Sequence, residues 1–362
     1  MKLNFHFRFP SVRFPLPLAP KTSLGVDIGT SSLKIVELRK WGNRRTLQNY
    51  GEIEAGALYD RPFRTLEKNM FTLSPEDIAR AIRAIMIEAG MTTRQAVFSI
   101  PDFSSFFTTF QLPPLSREEL ASSVAYEARR HIPVPVSEVV FDWQVVEGNV
   151  GRNQPLKILL IAVPKEVINQ YQDIAKKSGL LMGALEAEVF GLIRSGAALE
   201  QGPIILLDIG AQTTTVNSVE AGTVRLSRSL DIAGNSFTER IAQSFSLERS
   251  AAREMKEREG LLPGTQSAEI LSPLLDVIVG EIQRVAEDFL QLSGKRVQKV
   301  ILGGGSALLP NLSSYVQAAT QIPTETIDPF RSLVYPPILE ETTKHLGPSY
   351  AVAIGMALRG LE

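Results

Sequence analysis

Apolar positions along the chain alternate between the period of a strand and the period of a helix. Residues 23 to about 53 read as a strand, a tight turn and two more strand-like runs. Ser74-Pro-Glu-Asp77 opens a helix, with Ser74 as cap and Pro75 in the first turn. Ile78, Ile82 and Ile85 then share one face, and Gly90 ends it. Ala96 to Ile100 is a strand, and Phe106, Thr108, Phe110 and Leu112 alternate in the next. Ser116-Arg-Glu-Glu119 is a capping box before a helix carrying Leu120, Val124 and Ala128, which Pro133 and Pro135 stop. Phe141, Trp143 and Val145 alternate again. Ile158 to Val163 is a continuous apolar run, hence a buried strand. Glu166 to Lys177 is a helix ended by Gly179.

Further on, an apolar strand runs into Asp208. Ser236 to Phe245 and Glu248 to Glu259 read as helices. Ser272-Pro273 is expected to cap a long helix with Leu275, Ile278, Ile282, Val285 and Phe289 on its apolar side. Val297 to Leu302 is a strand, Pro310 opens a helix, and residues 349 to 359 form a last apolar helix. Strands and helices interleave throughout, so the fold class is α/β.

At 362 residues two domains are expected. The 44% hydrophobic and 21% charged content is that of an ordinary globular protein. A formal net charge of -1 gives no support for nucleic-acid binding. The first 45 residues differ, with nine Lys and Arg against Asp27 and Glu37. That excess could face an anionic membrane surface, although a solvated face is the plainer reading. Phe5, Phe7 and Phe9 alternate as in an added edge strand or docking peptide, and Phe14 to Pro20 reads as an extended linker. The chain has no cysteine, which excludes disulfides and thiolate metal sites. No apolar run approaches the ~18 residues of a bilayer span. A cytoplasmic location is expected. His6, His131 and His345 are scattered and give no ligand spacing.

One turn occurs twice. Gly25-Val-Asp-Ile-Gly-Thr-Ser-Ser-Leu-Lys34 and Leu207-Asp-Ile-Gly-Ala-Gln-Thr-Thr-Thr215 each join an apolar strand to Asp-Ile-Gly and small hydroxyl residues. Gly29 and Gly210 are expected to take positive φ and turn backbone N–H groups toward phosphate oxygens. Thr30, Ser31 and Thr213 add short donors. Asp27 and Asp208 suit outer-sphere ligation of Mg²⁺, which keeps its waters. Lys34 can meet a β- or γ-phosphate as a point charge. A third turn, Gly303-Gly-Gly-Ser306, follows another buried strand and suits a flat base that needs close backbone approach. Each turn alone is weak evidence. Two copies after apolar strands point to a nucleotide between two related lobes.

The order of Asp27-Ile-Gly-Thr, Asp208-Ile-Gly and Gly303-Gly-Gly-Ser resembles the actin-like ATPase superfamily. Phe98-Ser-Ile-Pro101, Leu112-Pro-Pro, Glu127-Ala-Arg-Arg-His-Ile-Pro133, Ala162-Val-Pro-Lys165 and Tyr350 to Arg359 sharpen this to the PilM-like branch. The resemblance covers residues 23 to 362. It implies two lobes, each with a ribonuclease-H-like core, and an inserted α+β subdomain, IC. Residues 1–20 would form an extended segment. Subdomain IA would be 21–53, 183–202 and 335–362, with IC at 54–182. Subdomain IIA would be 203–235 and 298–334, with IIB at 236–297.

ATP and Mg²⁺ are the implied cofactors. Asp27, Gly29, Thr30, Ser31 and Lys34 would form the first phosphate site and Asp208, Gly210 and Thr213 the second. Gly303, Gly304 and Ser306 would hold the adenosine. Glu188 falls where relatives carry the residue near the attacking water, with Glu186 the competing choice. Relatives often place a ribose-binding Glu where this chain has Arg253. Glu254 would substitute one step on, and Lys256 is retained. Ala211-Gln212 likewise departs from the glycine common in the second loop.

The implied role is a nucleotide-loaded platform in type IV pilus assembly or related secretion, with slow or absent turnover. The implied partner is the cytoplasmic peptide of a PilN-like inner-membrane protein, with an assembly motor ATPase as a further candidate. The chain would be peripheral to the membrane, and self-association through IC stays open. Alternatives are a small-molecule kinase of this fold and an FtsA-like division protein, which would be expected to carry a carboxy-terminal amphipathic helix. The Phe103, Phe106, Phe107 and Phe110 cluster reads as core rather than as a binding face.

Overall fold

The computed structural model describes residues 20–58, 62–64 and 71–362. The alternating Phe5, Phe7 and Phe9 and the Pro-rich run therefore lie outside the described residues.

Two five-stranded sheets carry the molecule, and they have the same topology. In the first, β1 (Lys21–Ile28), β2 (Ser32–Trp41) and β3 (Arg44–Glu54) form an antiparallel meander. A short helix, α1 (Ala55–Leu58), and α2 (Pro75–Glu88) then lead to β4 (Gln95–Ile100), which pairs parallel with β1. The inserted unit holds β5 (Phe106–Leu112), α3 (Arg117–His131), β6 (Val139–Glu147) and β7 (Leu156–Pro164). Helix α4 (Lys165–Ser178) returns the chain to β8 (Leu181–Ala187), parallel to β4. The sheet order is β3-β2-β1-β4-β8.

After α5 (Glu188–Leu192), which widens into a looser turn over Ile193–Ala197, the second sheet repeats the plan. Strands β9 (Pro203–Ile209), β10 (Thr214–Glu220) and β11 (Thr223–Leu230) form its meander. Helices α6 (Gly234–Phe245), α7 (Arg249–Glu259) and α8 (Gln266–Ser293) follow. Strand β12 (Lys299–Gly303), helix α9 (Leu312–Thr320) and β13 (Thr324–Thr326) complete the order β11-β10-β9-β12-β13. Helix α10 (Glu340–Gly360) crosses back onto the first sheet. There Gly355 is required by close approach. A Cβ at that position would stand 2.0 Å from the Gly191 carbonyl oxygen of α5.

Burial explains the elements. Leu24, Val26 and Ile28 of β1 and Ile204 to Leu207 of β9 are buried without alternation, because helices or the other sheet cover both faces. One apolar core runs from Leu24, Phe98 and Ile174 in the first lobe to Leu206, Ile301 and Ile327 in the second. A second core lies under α6 to α9, and a third beneath α10. The inserted sheet has a core of its own, with Phe110, Val124 and Leu160. Phe103, Phe106 and Phe107 are half-buried, and Phe107 packs against Phe190 at 6.4 Å. Phe110 is in the inserted core, Phe106 and Phe107 pack against core residues, and Phe103 belongs to no core cluster.

Three expectations need correction. Residues 54–182 do not form one sheet-based unit. Hydrogen bonding gives β4 to the first sheet, and only β5, β7 and β6 form the separate three-stranded one. Period alone cannot say which sheet a buried strand joins. The long helix starts at Gln266, not at Ser272. Thr265 Oγ1 accepts the Ala268 N–H at 3.2 Å, so an earlier cap exists and Pro273 is carried inside the helix. The last helix starts at Glu340 and contains Pro348.

Candidate functional site

The two repeated turns occupy the same place in the two sheets. Asp27 is the next-to-last residue of β1 and Asp208 the next-to-last of β9. In the first turn the Gly29 N–H donates to the Ser32 carbonyl at 3.0 Å. In the second the Gly210 N–H donates to the Thr213 carbonyl at 2.9 Å. Neither glycine takes positive φ, which corrects that expectation. What glycine supplies is room: a Cβ on Gly29 would stand 3.0 Å from the Ser32 oxygen, and one on Gly210 3.1 Å from the Thr213 oxygen. The carbonyls of Thr30 and Ser31 accept the Phe63 and Ala55 N–H groups, which anchors the first turn to the chain beyond β3.

The third turn clasps the second. The Ser306 N–H donates to the Ile209 carbonyl at 3.0 Å, and Ser306 Oγ donates to the Gly210 carbonyl at 3.3 Å. Gly304 does adopt φ +85°. A Cβ there would lie 2.3 Å from Asp208 Oδ1, so only glycine lets this turn approach the carboxylate. The Gly304 N–H donates to the Pro348 carbonyl of α10, tying the turn to the first lobe. Gly303 precedes it as the last residue of β12.

Lys34 sits opposite Asp27 in the β1–β2 register, on the same face. Its Nζ donates to Ser32 Oγ at 2.5 Å and pairs with Glu52 at 3.1 Å. The cation is thus held at the turn with a counter-charge already beside it. Asp27 is buried and accepts from Ser99 Oγ at 2.7 Å.

Glu188 opens α5 and is half-buried. Burial, and after it the charges of Asp27, Asp208 and Asp102, hold its carboxyl well above the usual range, with Arg64 opposing. Burial, then Asp102 and Asp27, pushes Asp208 up to about 7. Glu186, its competitor, is engaged elsewhere: it pairs with Arg194 at 3.0 Å and Arg359 at 2.8 Å.

Two residues of this cluster escaped the sequence reading. Asp102, in the turn after β4, is buried, and burial pushes its carboxyl up to about 6. Arg64 is buried and donates to Tyr171 Oη, with its guanidinium 4.9 Å from the Phe71 ring centroid. Neither stands in a repeated motif, and nothing in the local pattern marks either as buried.

In the helical part of the second lobe, Arg253 rather than Glu254 reaches the first lobe. Its guanidinium forms a two-pronged pair with Glu54, both bonds 2.9 Å. Glu254 is exposed. Lys256 donates to the Gly234 carbonyl at 3.2 Å and to Thr238 Oγ1 at 3.0 Å, and burial lowers its ammonium to about 8. It therefore pins the start of α6 beside the second turn.

The donor set is all oxygen, carboxylate and hydroxyl, which suits a hard cation such as Mg²⁺. Among the described residues no three His, Cys, Asp or Glu side chains converge closely enough to ligate an ion directly. His131 stacks on Phe110 at 4.7 Å, a packing role. No helix among the described residues is long and apolar enough to cross a membrane.

Comparison with known proteins agrees with this architecture. The profile of the family described as type IV pilus assembly protein PilM matches residues 25–361. The solved PilM-PilN type IV pilus biogenesis complex contains a chain that is 26% identical, with TM-score 0.80, over 94% of this chain and 98% of that one. MamK from a double helical filament matches at 14% identity and TM-score 0.56, covering 94% and 99%. MreB5 of Spiroplasma citri, solved with AMPPNP, matches at 14% and 0.52, covering 94% and 96%. These last two share the actin-like fold. Two sheets of one topology, a three-stranded insertion and a family match over nearly the whole length converge, and the chain belongs to the type IV pilus assembly protein PilM family.

Proposed function

We propose that this PilM-family chain binds ATP with Mg²⁺ between its two sheets and serves as a cytoplasmic platform for a PilN-like inner-membrane protein. The observation that carries the nucleotide reading is the pairing of two equivalent turns, each preceded by a strand carboxylate, with a third turn clasped onto one of them. Asp27 and Asp208 would hold the waters of Mg²⁺, and the bound ion would neutralise phosphate charge. Thr30, Ser31, Thr213 and Lys34 would meet phosphate oxygens, and Gly303, Gly304 and Ser306 would border the adenosine. Glu188 would orient water. The raised proton affinity of Glu188 and Asp208 supports a site built to receive a cation. The MreB5 structure with AMPPNP places a nucleotide in a protein of this fold and supports the same reading.

The partner reading rests on the PilM-PilN complex, whose chain this one matches over nearly its full length. The subdomain division is ours as well. We take IC as the three-stranded unit with α3, and leave β4, β8, α2 and α4 to IA. Arg253 stands where relatives carry a ribose-binding Glu and is engaged by Glu54, so ribose binding would be weakened and hydrolysis slow or absent.

Calorimetry with Mg·ATP on the wild type and Asp27→Ala tests this. Micromolar binding, about -8 kcal/mol, is expected in the wild type and a loss of at least about tenfold in the variant. Phosphate release on the same samples separates a loaded platform from a working ATPase. Absence of wild-type binding would sink the nucleotide reading.

A further inference from the structure

Asp102 lies where three parts of the molecule meet. It stands in the turn Asp102–Ser104, between β4 of the first sheet and the start of the inserted strand β5. Its Oδ1 accepts the Val189 N–H at 3.1 Å, the backbone donor next to Glu188 in the first turn of α5. Its Oδ2 accepts from Asn217 Nδ2 at 3.4 Å, and Asn217 belongs to β10 of the second lobe. Asp102 is 3% exposed and Asn217 0%. A buried carboxylate is costly unless its bonds are made, so removing either partner leaves a penalty rather than a gap. Asn217 Oδ1 is itself buried without a hydrogen-bond partner. The amide is therefore held by Asp102 alone.

A second tie joins the same two bodies. Arg225 of β11 reaches Glu147 at the end of β6 at 2.6 Å and Glu220 at 3.1 Å. The inserted sheet is thus attached to the second lobe at its root, through Asp102, and at the end of β6, through Glu147. A change in the angle between the lobes cannot leave the inserted sheet where it was unless these bonds break.

We propose that Asp102 is a positioning residue that locks the start of α5, and with it Glu188, to Asn217 of the second lobe, so that the cleft and the inserted sheet move together. This rests on the reading of the cleft as a nucleotide site. Glu188 keeps its place because the helix start that carries it is capped by Asp102. The second lobe feels that placement through the Asn217 amide, beside the apolar core that both lobes share. The inserted sheet follows because Asp102 is also its root.

The absence of cysteine allows a direct test. Tyr126, 67% exposed on α3, and Leu292, 46% exposed on α8, are replaced by Cys and spin-labelled in the full chain. The distance between labels is measured with and without Mg·AMPPNP, and nucleotide affinity is measured on the same samples. In the otherwise wild-type chain, nucleotide is expected to shift the distance by about 2 Å or more. Asn217→Ala should keep affinity within about threefold, and both Asn217→Ala and Asp102→Ala should lose the shift and broaden the distribution. Asp102→Asn should restore the shift. Its amide oxygen still accepts from the Val189 N–H, and once the Asn217 amide turns over, its amide nitrogen donates to Asn217 Oδ1. A shift that survives intact in both alanine variants overturns the proposal, as does nucleotide binding with no shift in the parent. If the parent binds no nucleotide, the underlying reading of the cleft fails instead. If an alanine variant does not fold, Asp102→Asn and Asn217→Asp decide. The first must keep the shift, and the second, which sets two carboxylates against each other, must lose it.

Discussion

Asp27, Asp102 and Asp208 lie near Glu188, and after burial their charges raise its proton affinity, as Asp102 and Asp27 raise that of Asp208. Burial pushes the Asp102 carboxyl up to about 6 and, with neighbouring charges, the Asp208 carboxyl up to about 7 in the folded chain, against 3.8 as the ordinary value. Between those limits the native state holds protons that the unfolded chain has released, so stability falls as pH rises. In the absence of Mg²⁺ and nucleotide, thermal stability should therefore decrease from pH 5 to pH 8. The loss should be on the order of 2 kcal/mol, less than the two shifts summed because the charges share a site. Calorimetric scans at four pH values check this. Asp102→Asn should flatten the lower half of the slope and Asp208→Asn the upper half, while an unchanged slope in both would show that the cluster is not its source. Gly304 gives a second residue-scale prediction. Gly304→Ala combines positive φ with a Cβ on the Asp208 carboxylate, and should cost about 2–4 kcal/mol in denaturant unfolding. Asp27, Asp208 and the glycines were legible because a repeated motif marks them. Asp102 and Arg64 were not, because a single Asp or Arg in a loop carries no sign of burial until the fold encloses it.

Most elements were legible from local chemistry. Ser74 and Ser116 cap α2 and α3 as their side-chain donors and acceptors predict. Gly179 ends α4 in the left-handed conformation. The start of α8 was misread because Ser-Pro is a good opening signal, and Thr265 was a competing one seven residues earlier. Tertiary burial decided between them, since Ser267 and Leu271 are enclosed in the second lobe. Thr265→Ala should therefore cost about 1 kcal/mol. Ser272→Ala should cost far less, since Ser272 Oγ only donates back to the Ala268 carbonyl within the helix. Equal losses in chemical unfolding would place the true start at Ser272. The assignment of β4 to the first sheet has the same origin. Its five buried residues need cover on both faces, and only the sheet beside β1 offers it.

Across the whole molecule the lobes are joined by a shared core, by the Asp102–Asn217 bond and by the Arg253–Glu54 pair at the surface. The last is half-exposed on both sides, so its worth in stability is small, under about 1 kcal/mol. It spans the two lobes all the same. Arg253→Ala should leave unfolding nearly unchanged and speed exchange of bound nucleotide by about threefold or more, and the effect should shrink as salt rises. Stopped-flow displacement of a fluorescent nucleotide measures it, and an unchanged rate would make the pair an ornament of the surface.

The chain by itself determined the two turns, the lobe plan they imply and most helix boundaries. Those depend on short-range chemistry: caps, glycine turns, and periodic apolar faces. Tertiary structure alone decided which sheet receives β4, which carboxylates lie close together, and which charge on α7 faces the first lobe. Each of those depends on what residues far apart in sequence do to one another's solvation, and burial of that kind exists only once the two sheets have closed.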